Sequence, residues 1–187
     1  SDAFRYELAV DLMQKLTDTQ NRLELTPMLA SIPSGTSLGM SNLLPNNGIT
    51  ADTSGGNLEW KIDGEKTVST NREKILQTVE AESVTVRYAD FVKMNRDEQR
   101  NLLKNNIVYI YHNWMDTIGD DITSEHYTFE SVKACISQLY DLIERMYRSL
   151  NTYSILLTAD HGFLFNYETI SEASKQSLPS FDKSYKE

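Results

Sequence analysis

A single cysteine, Cys135, occurs in 187 residues, which excludes an internal disulfide framework and any zinc site built from several thiolates. A reducing, cytoplasmic setting is the expectation. No apolar run reaches the length of about 18 residues that a membrane-spanning helix needs. The N-terminus carries Asp2 where a secretory leader would have basic residues followed by an apolar stretch, so no signal peptide is expected. Positive charge is scarce: 18 Lys and Arg stand against 27 Asp and Glu, for a formal net charge of −9 and a pI near 4.8. That balance disfavours broad nonspecific binding of nucleic acid, but a divalent cation inside an acidic cleft would reverse the sign locally, so a phosphate substrate stays open. No repeat of fixed period is present.

What is there describes a globular chain. The fractions of 40% hydrophobic and 24% charged residues fit a packed core, and the length fits one domain over residues 1–187. Leu8, Leu12 and Leu16, with Phe4 and Met13 beside them, predict an amphipathic helix from Ala3 to about Gln20. From Thr26 to Gly56 the chain is rich in Pro, Ser, Gly, Asn and Thr, which predicts an irregular region with at most one short helix at Leu38 to Leu44. Leu58 to Ile62 alternates, and Asp63-Gly64 then turns the chain into Thr67-Val68, a hairpin pattern. Helices are predicted at Asn71 to Glu80 and Arg96 to Lys104, with a short strand at Val84-Thr85-Val86 between them.

The second half has a clearer rhythm. Ile107 to Tyr111 is a continuous apolar run suited to a strand covered on both faces. Val132, Ile136, Leu139, Ile143, Met146 and Leu150 give one stripe on a long helix from Glu130 to Leu150. Ile155 to Thr158 reads as a second buried strand, and the tail after Tyr167 turns polar. Strand, helix and strand together predict an α/β fold.

Ligands in open α/β sheets collect beyond the carboxyl ends of strands. Two acidic segments follow the two apolar runs: Asp116 to Asp121 and Ala159-Asp160-His161-Gly162. An imidazole beside carboxylates suits zinc or manganese, and with three histidines in the chain such a pairing is selective. The same tetrapeptide also serves to shape a strand-to-loop turn, with His161 on the surface. Asp116 and Asp120, four apart, bring both carboxylates to one side of a helical or tight-turn backbone, either around a cation or as a solvated acidic turn. Asp2 is placed to cap the first helix, although Arg5 stands where Glu or Gln would complete a capping box. Thr36, in Pro33-Ser34-Gly35-Thr36-Ser37, is a nucleophile candidate or a cap residue.

Taken in order, these segments resemble the PglZ family of bacterial phage-defence proteins. Ser-Asp-Ala-Phe-Arg-Tyr-Glu at Ser1 to Glu7 resembles the family's opening motif, and Ile32 to Pro45 its nucleophile loop. Tyr111 to Asp120 and Leu157 to Phe165 resemble the remaining signatures. The resemblance implies an alkaline-phosphatase-like fold, a central mostly parallel sheet flanked by helices with a small β-hairpin insertion, and a site for two divalent metal ions. It implies that Asp2, Thr36, Asp160 and His161 form one metal site, with Thr36 also the nucleophile, and that Asp116 and Asp120 contribute to the second. An aspartate at 120, where the wider superfamily commonly has histidine, makes that second site richer in oxygen.

The implied activity is metal-dependent hydrolysis of a phosphate monoester or diester, by in-line attack of the Thr36 hydroxyl on phosphorus. A role in BREX-type phage defence implies nucleic acid or a phosphorylated signal as substrate and other defence subunits as partners. The alternative is a non-catalytic scaffold that keeps the fold. Two departures from the family pattern bear on this: no apolar strand precedes Asp2, and no histidine follows His161. They lead to the expectation of a fragment of a larger protein, inactive by itself, in which the backbone carrying Asp2 lacks a sheet partner.

Overall fold

The computed structural model of the chain describes residues 1–17, 22–114 and 128–163. Its elements run α1 (Tyr6–Leu16), α2 (Thr36–Asn42), β1 (Ile49–Asp52), β2 (Glu59–Ile62), β3 (Glu65–Lys66) and α3 (Arg72–Gln77). There follow β4 (Ser83–Arg87), α4 (Tyr88–Phe91), α5 (Arg96–Leu102), β5 (Ile107–Tyr111) and α6 (Thr128–Leu150). The class is mixed α/β, consistent with an alkaline-phosphatase-like fold.

Two sheets are present among the described residues. β4 and β5 pair in parallel, with Ser83 opposite Ile107 and Arg87 opposite Tyr111. β1, β2 and β3 form an antiparallel sheet in that order. The β2–β3 hairpin turns at Asp63 and Gly64, with φ of 49° and 83°. Two positive φ values are what a tight hairpin turn of the twist-matching type requires, and aspartate and glycine tolerate them. The returning strand is Glu65–Lys66 rather than the predicted Thr67-Val68, because a two-residue turn fixes the register with Ile62 opposite Glu65.

β5 is covered on both faces, as its unbroken apolar run predicts. Alternate residues point to opposite sides: Ile110 packs with Phe91, Met146 and Leu150, and Tyr109 packs with Leu44, Ile62, Ile75 and Leu76. α6 bridges two parts of the core. Its Cys135, Ile136 and Leu139 pack on Leu8, Leu12 and Leu16 of α1, and its Met146 and Leu150 pack against the parallel sheet. α5 has a complete capping box, Asn95 accepting from the Asp97 and Glu98 amides while Glu98 reaches back to the Asn95 amide.

Three predicted segments differ. The region Thr26 to Gly56 contains a strand, β1, whose residues Ile-Thr-Ala-Asp are too polar to signal one by themselves; it forms because Thr50 and Ala51 pair with Lys61 and Trp60 of β2. The predicted buried strand at Ile155 to Thr158 is absent. Ile155 and Leu156 are 38% and 90% exposed, and no ladder pairs this run among the described residues. A short apolar run becomes a strand only when a neighbour satisfies its backbone groups. Asp2 is no helix cap: the N-cap of α1 is Arg5, and it lacks a side-chain cap bond. Other boundaries shift by a few residues; the end of the first predicted helix, at residues 18–20, lies outside the described residues.

The Cys135 thiol is fully buried in α6, and burial pushes its pKa up to about 11 from an ordinary 9.0. The thiolate is the reacting form. At pH 8 a soluble alkylating reagent is therefore expected to label the folded protein about a hundredfold more slowly than the urea-unfolded chain. Equal rates, followed by mass spectrometry, would show that the α1–α6 contact opens readily.

Candidate metal centre

The segments that carry Asp2 and Asp160 meet just beyond the carboxyl end of β5. The Asp2 amide donates to the carbonyl of His112, the next residue after β5, at 2.7 Å, so this backbone is tied to the sheet end although it pairs with no strand among the described residues. Ala3 follows in the left-handed region with φ of 51°, unusual for a residue with a Cβ. The Ala3 amide donates to Asp160 Oδ1 at 3.2 Å. The chain near residue 2 is thereby stitched both to β5 and to the segment ending at Asp160.

Asp2, Asp160 and His161 offer one ligand atom each within 4.8 Å of one another, and both aspartates are buried. His161 is not the surface imidazole that the turn reading required, since its side chain is 11% exposed. Its Nδ1 lies 2.8 Å from the Gly162 carbonyl, which can only accept. In the neutral ring the proton is therefore on Nδ1, and Nε2 presents a lone pair. That lone pair lies 3.4 Å from Asp2 Oδ1 and 3.4 Å from Asp160 Oδ2. Asp160 Oδ2 is buried and accepts no hydrogen bond among the described residues. Three electron-rich atoms facing one another repel unless a cation or a proton lies among them. Histidine ligands of metals characteristically donate their second nitrogen to a carbonyl or carboxylate, as Nδ1 does here. The donor set thus fits a divalent cation.

Thr36 adjoins this group. It is the first residue of α2, Gly35 being the N-cap, and its Oγ1 is 2.9 Å from His161 Nε2. With the proton of His161 on Nδ1, the Thr36 hydroxyl is the donor. Four of the six predicted site residues, Asp2, Thr36, Asp160 and His161, are brought together. Asp116 and Asp120 lie outside the described residues.

The sequence reading missed two contributors. Gly39 lies inside α2, and a Cβ there would meet the Asp160 carbonyl oxygen at 2.5 Å and its carbonyl carbon at 2.9 Å. Only glycine lets the helix of Thr36 lie directly on the backbone of Asp160. Glycine inside a helix costs about 1 kcal/mol relative to alanine, so a glycine at this position was itself a signal of close packing. Gly39→Ala is expected to lower stability by about 1–3 kcal/mol, the usual range for overpacking, because the atoms to be displaced are backbone. Urea denaturation checks this, and a variant as stable as the parent would mean that α2 shifts freely. The second contributor is the Gly162 carbonyl, whose role depends on geometry and not on its side chain.

The family profile described as the BREX system PglZ alkaline phosphatase-like domain matches residues 1–187. The chain belongs to the PglZ family. Among curated proteins this PglZ-family chain is similar to the alkaline phosphatase-like protein PglZ of Bacillus cereus, 34% identical over 178 residues and covering 94% of the chain. It is likewise similar to the alkaline phosphatase-like protein BrxZ of Escherichia coli, 34% identical over 181 residues and 95% of the chain. The chain spans about a fifth of the length of either relative. No solved structure matches it. No helix among the described residues is long and apolar enough to cross a membrane.

Proposed function

We propose that this PglZ-family chain carries the nucleophile and one cation site of a metal-dependent phosphoester hydrolase acting in BREX-type phage defence. The observation that carries the reading is the buried Asp160 Oδ2, which has no hydrogen-bond donor among the described residues and faces His161 Nε2 beside Asp2. Asp2, Asp160 and His161, with the Thr36 hydroxyl, would hold the cation; two carboxylates and an imidazole suit zinc or manganese. Asp116 and Asp120 belong to a second site by family resemblance.

Bound there, a divalent cation supplies positive charge that favours loss of the hydroxyl proton and offsets charge developing on the phosphoryl oxygens. Thr36 is the attacking group in this reading, held by α2 at the edge of an open cavity of about 620 Å³ that also adjoins Asp2. Attack forms an Oγ1–phosphorus bond, with the hydroxyl proton passing to solvent water, and breaks the bond to the leaving oxygen, which takes a proton from water in return. Hydrolysis of the phosphothreonine then returns the free hydroxyl. Asp160 and His161 are oriented for their part by the Ala3 amide and the Gly162 carbonyl.

The test is metal removal from the full-length protein. Elemental analysis is expected to find a transition metal bound, and hydrolysis of p-nitrophenyl phosphate or its bis ester is expected to fall at least about a hundredfold on chelation and return with zinc or manganese. A full-length protein that stays metal-free under supplementation and turns over neither ester would favour the scaffold reading.

A further inference from the structure

The cavity next to Thr36 also holds two arginines, Arg72 and Arg87. Arg87 ends β4 and is paired across the sheet with Tyr111, and Arg72 stacks over the ring of that same tyrosine with its guanidinium carbon 5.1 Å from the ring centre. Arg87 and Tyr111 are thus register partners on one face of the parallel sheet, and Arg72 lies on that face over the tyrosine ring. Neighbouring residues support that assignment of face. Thr85, two residues before Arg87 and so on the same side, bonds Glu73 of α3, and Tyr109, two before Tyr111, bonds the Leu43 carbonyl after α2.

Arg72 is fixed in position. Its Nε donates to the Thr67 carbonyl at 3.3 Å, and the Thr67 hydroxyl is 2.5 Å from that of Ser41 in α2, the helix that begins at Thr36. Neither arginine forms an ion pair with a carboxylate among the described residues. Two guanidinium groups lining one cavity repel, and in a chain of net charge −9 carboxylates are abundant, yet none among the described residues pairs with either. Asp90 also borders the cavity and forms no ion pair with either.

We infer that Arg72 and Arg87 form an anion subsite for a second phosphate of the substrate, so that the centre at Thr36 acts on phosphoesters carrying at least two phosphate groups. The inference rests on the proposed hydrolase reading for the identity of the reacting phosphate, but not for the anion site itself. Guanidinium forks suit phosphate oxygens, and the cavity volume of about 620 Å³ leaves room for more than a single phosphoryl group.

The experiment is calorimetric binding of inorganic pyrophosphate and of orthophosphate to the full-length protein in excess EDTA, which needs no metal and no turnover. Pyrophosphate is expected to bind at least about tenfold more tightly than orthophosphate, and Arg72→Gln and Arg87→Gln are each expected to weaken it about tenfold, the scale of one charge-assisted hydrogen bond. Arg87 is exposed at a strand end, so its loss does not threaten the fold. Lys104→Gln, remote in sequence and outside the cavity lining, serves as the charge control. Pyrophosphate binding that is undetectable, no tighter than that of orthophosphate, or unchanged in both arginine variants would overturn the inference even if the protein hydrolyses esters. Binding as expected without any metal-dependent turnover would instead leave the subsite standing and remove the hydrolase reading.

Discussion

Thr36→Ala in the full-length protein is expected to lower kcat for phosphoester hydrolysis by at least about a thousandfold while metal content stays at the parental level. The reason is a separation of roles. Among the described residues the Thr36 hydroxyl makes one hydrogen bond, to His161 Nε2, and deleting one such bond costs about 1 kcal/mol of stability. The backbone at this position is the first turn of α2, which alanine tolerates as well as threonine does. The two carboxylates and the imidazole remain, so cation affinity falls little. A variant that keeps full turnover would assign the attack to water, and one that loses its metal as well would make Thr36 chiefly a ligand.

Asp160→Asn produces the opposite pattern. The amide oxygen can still accept from the Ala3 amide, so the contact that joins residue 3 to this segment survives. What is lost is the anionic Oδ2 beside His161 Nε2. Cation affinity is expected to fall by about a hundredfold or more, since losing a merely supporting group can cost that much. In the metal-free protein the same substitution removes one of two adjacent carboxylates, so thermal stability should hold or rise. Titration with zinc or manganese and melting in EDTA read the two effects separately. If the metal-free variant unfolds while cation affinity is unchanged, Asp160 holds the fold and not an ion.

The elements legible in the sequence are those whose signal is local. The stripe from Val132 to Leu150 specifies α6 because each turn of a helix satisfies its own backbone, leaving only the apolar face to be read. Asp63-Gly64 specifies the hairpin turn because those two residues accept positive φ. Strands depend on partners far along the chain. β1 carries little apolar signal and forms by pairing with β2, whereas the apolar run from Ile155 to Thr158 carries the signal without a ladder. The same division holds at the centre. Asp160 and His161 stand out as adjacent ligand types, Thr36 is a nucleophile or cap candidate from its loop, and the ligand roles of Asp2 and Thr36 come from family resemblance. Arg72 gave no local sign, because its place is set by the Thr67 carbonyl and the Tyr111 ring.

The contact from the Ala3 amide to Asp160 joins residues 157 positions apart. Closing so long a loop in an unfolded chain is entropically costly, and contacts of that span form only after most of the chain between them is ordered. A cation clasped between Asp2 and Asp160 would act as a staple on the folded chain, adding its binding free energy to stability in proportion to the logarithm of its concentration. Metal supply would then govern how long the folded form survives as well as what it can react with, so a protein starved of that metal would unfold more often as well as stand idle.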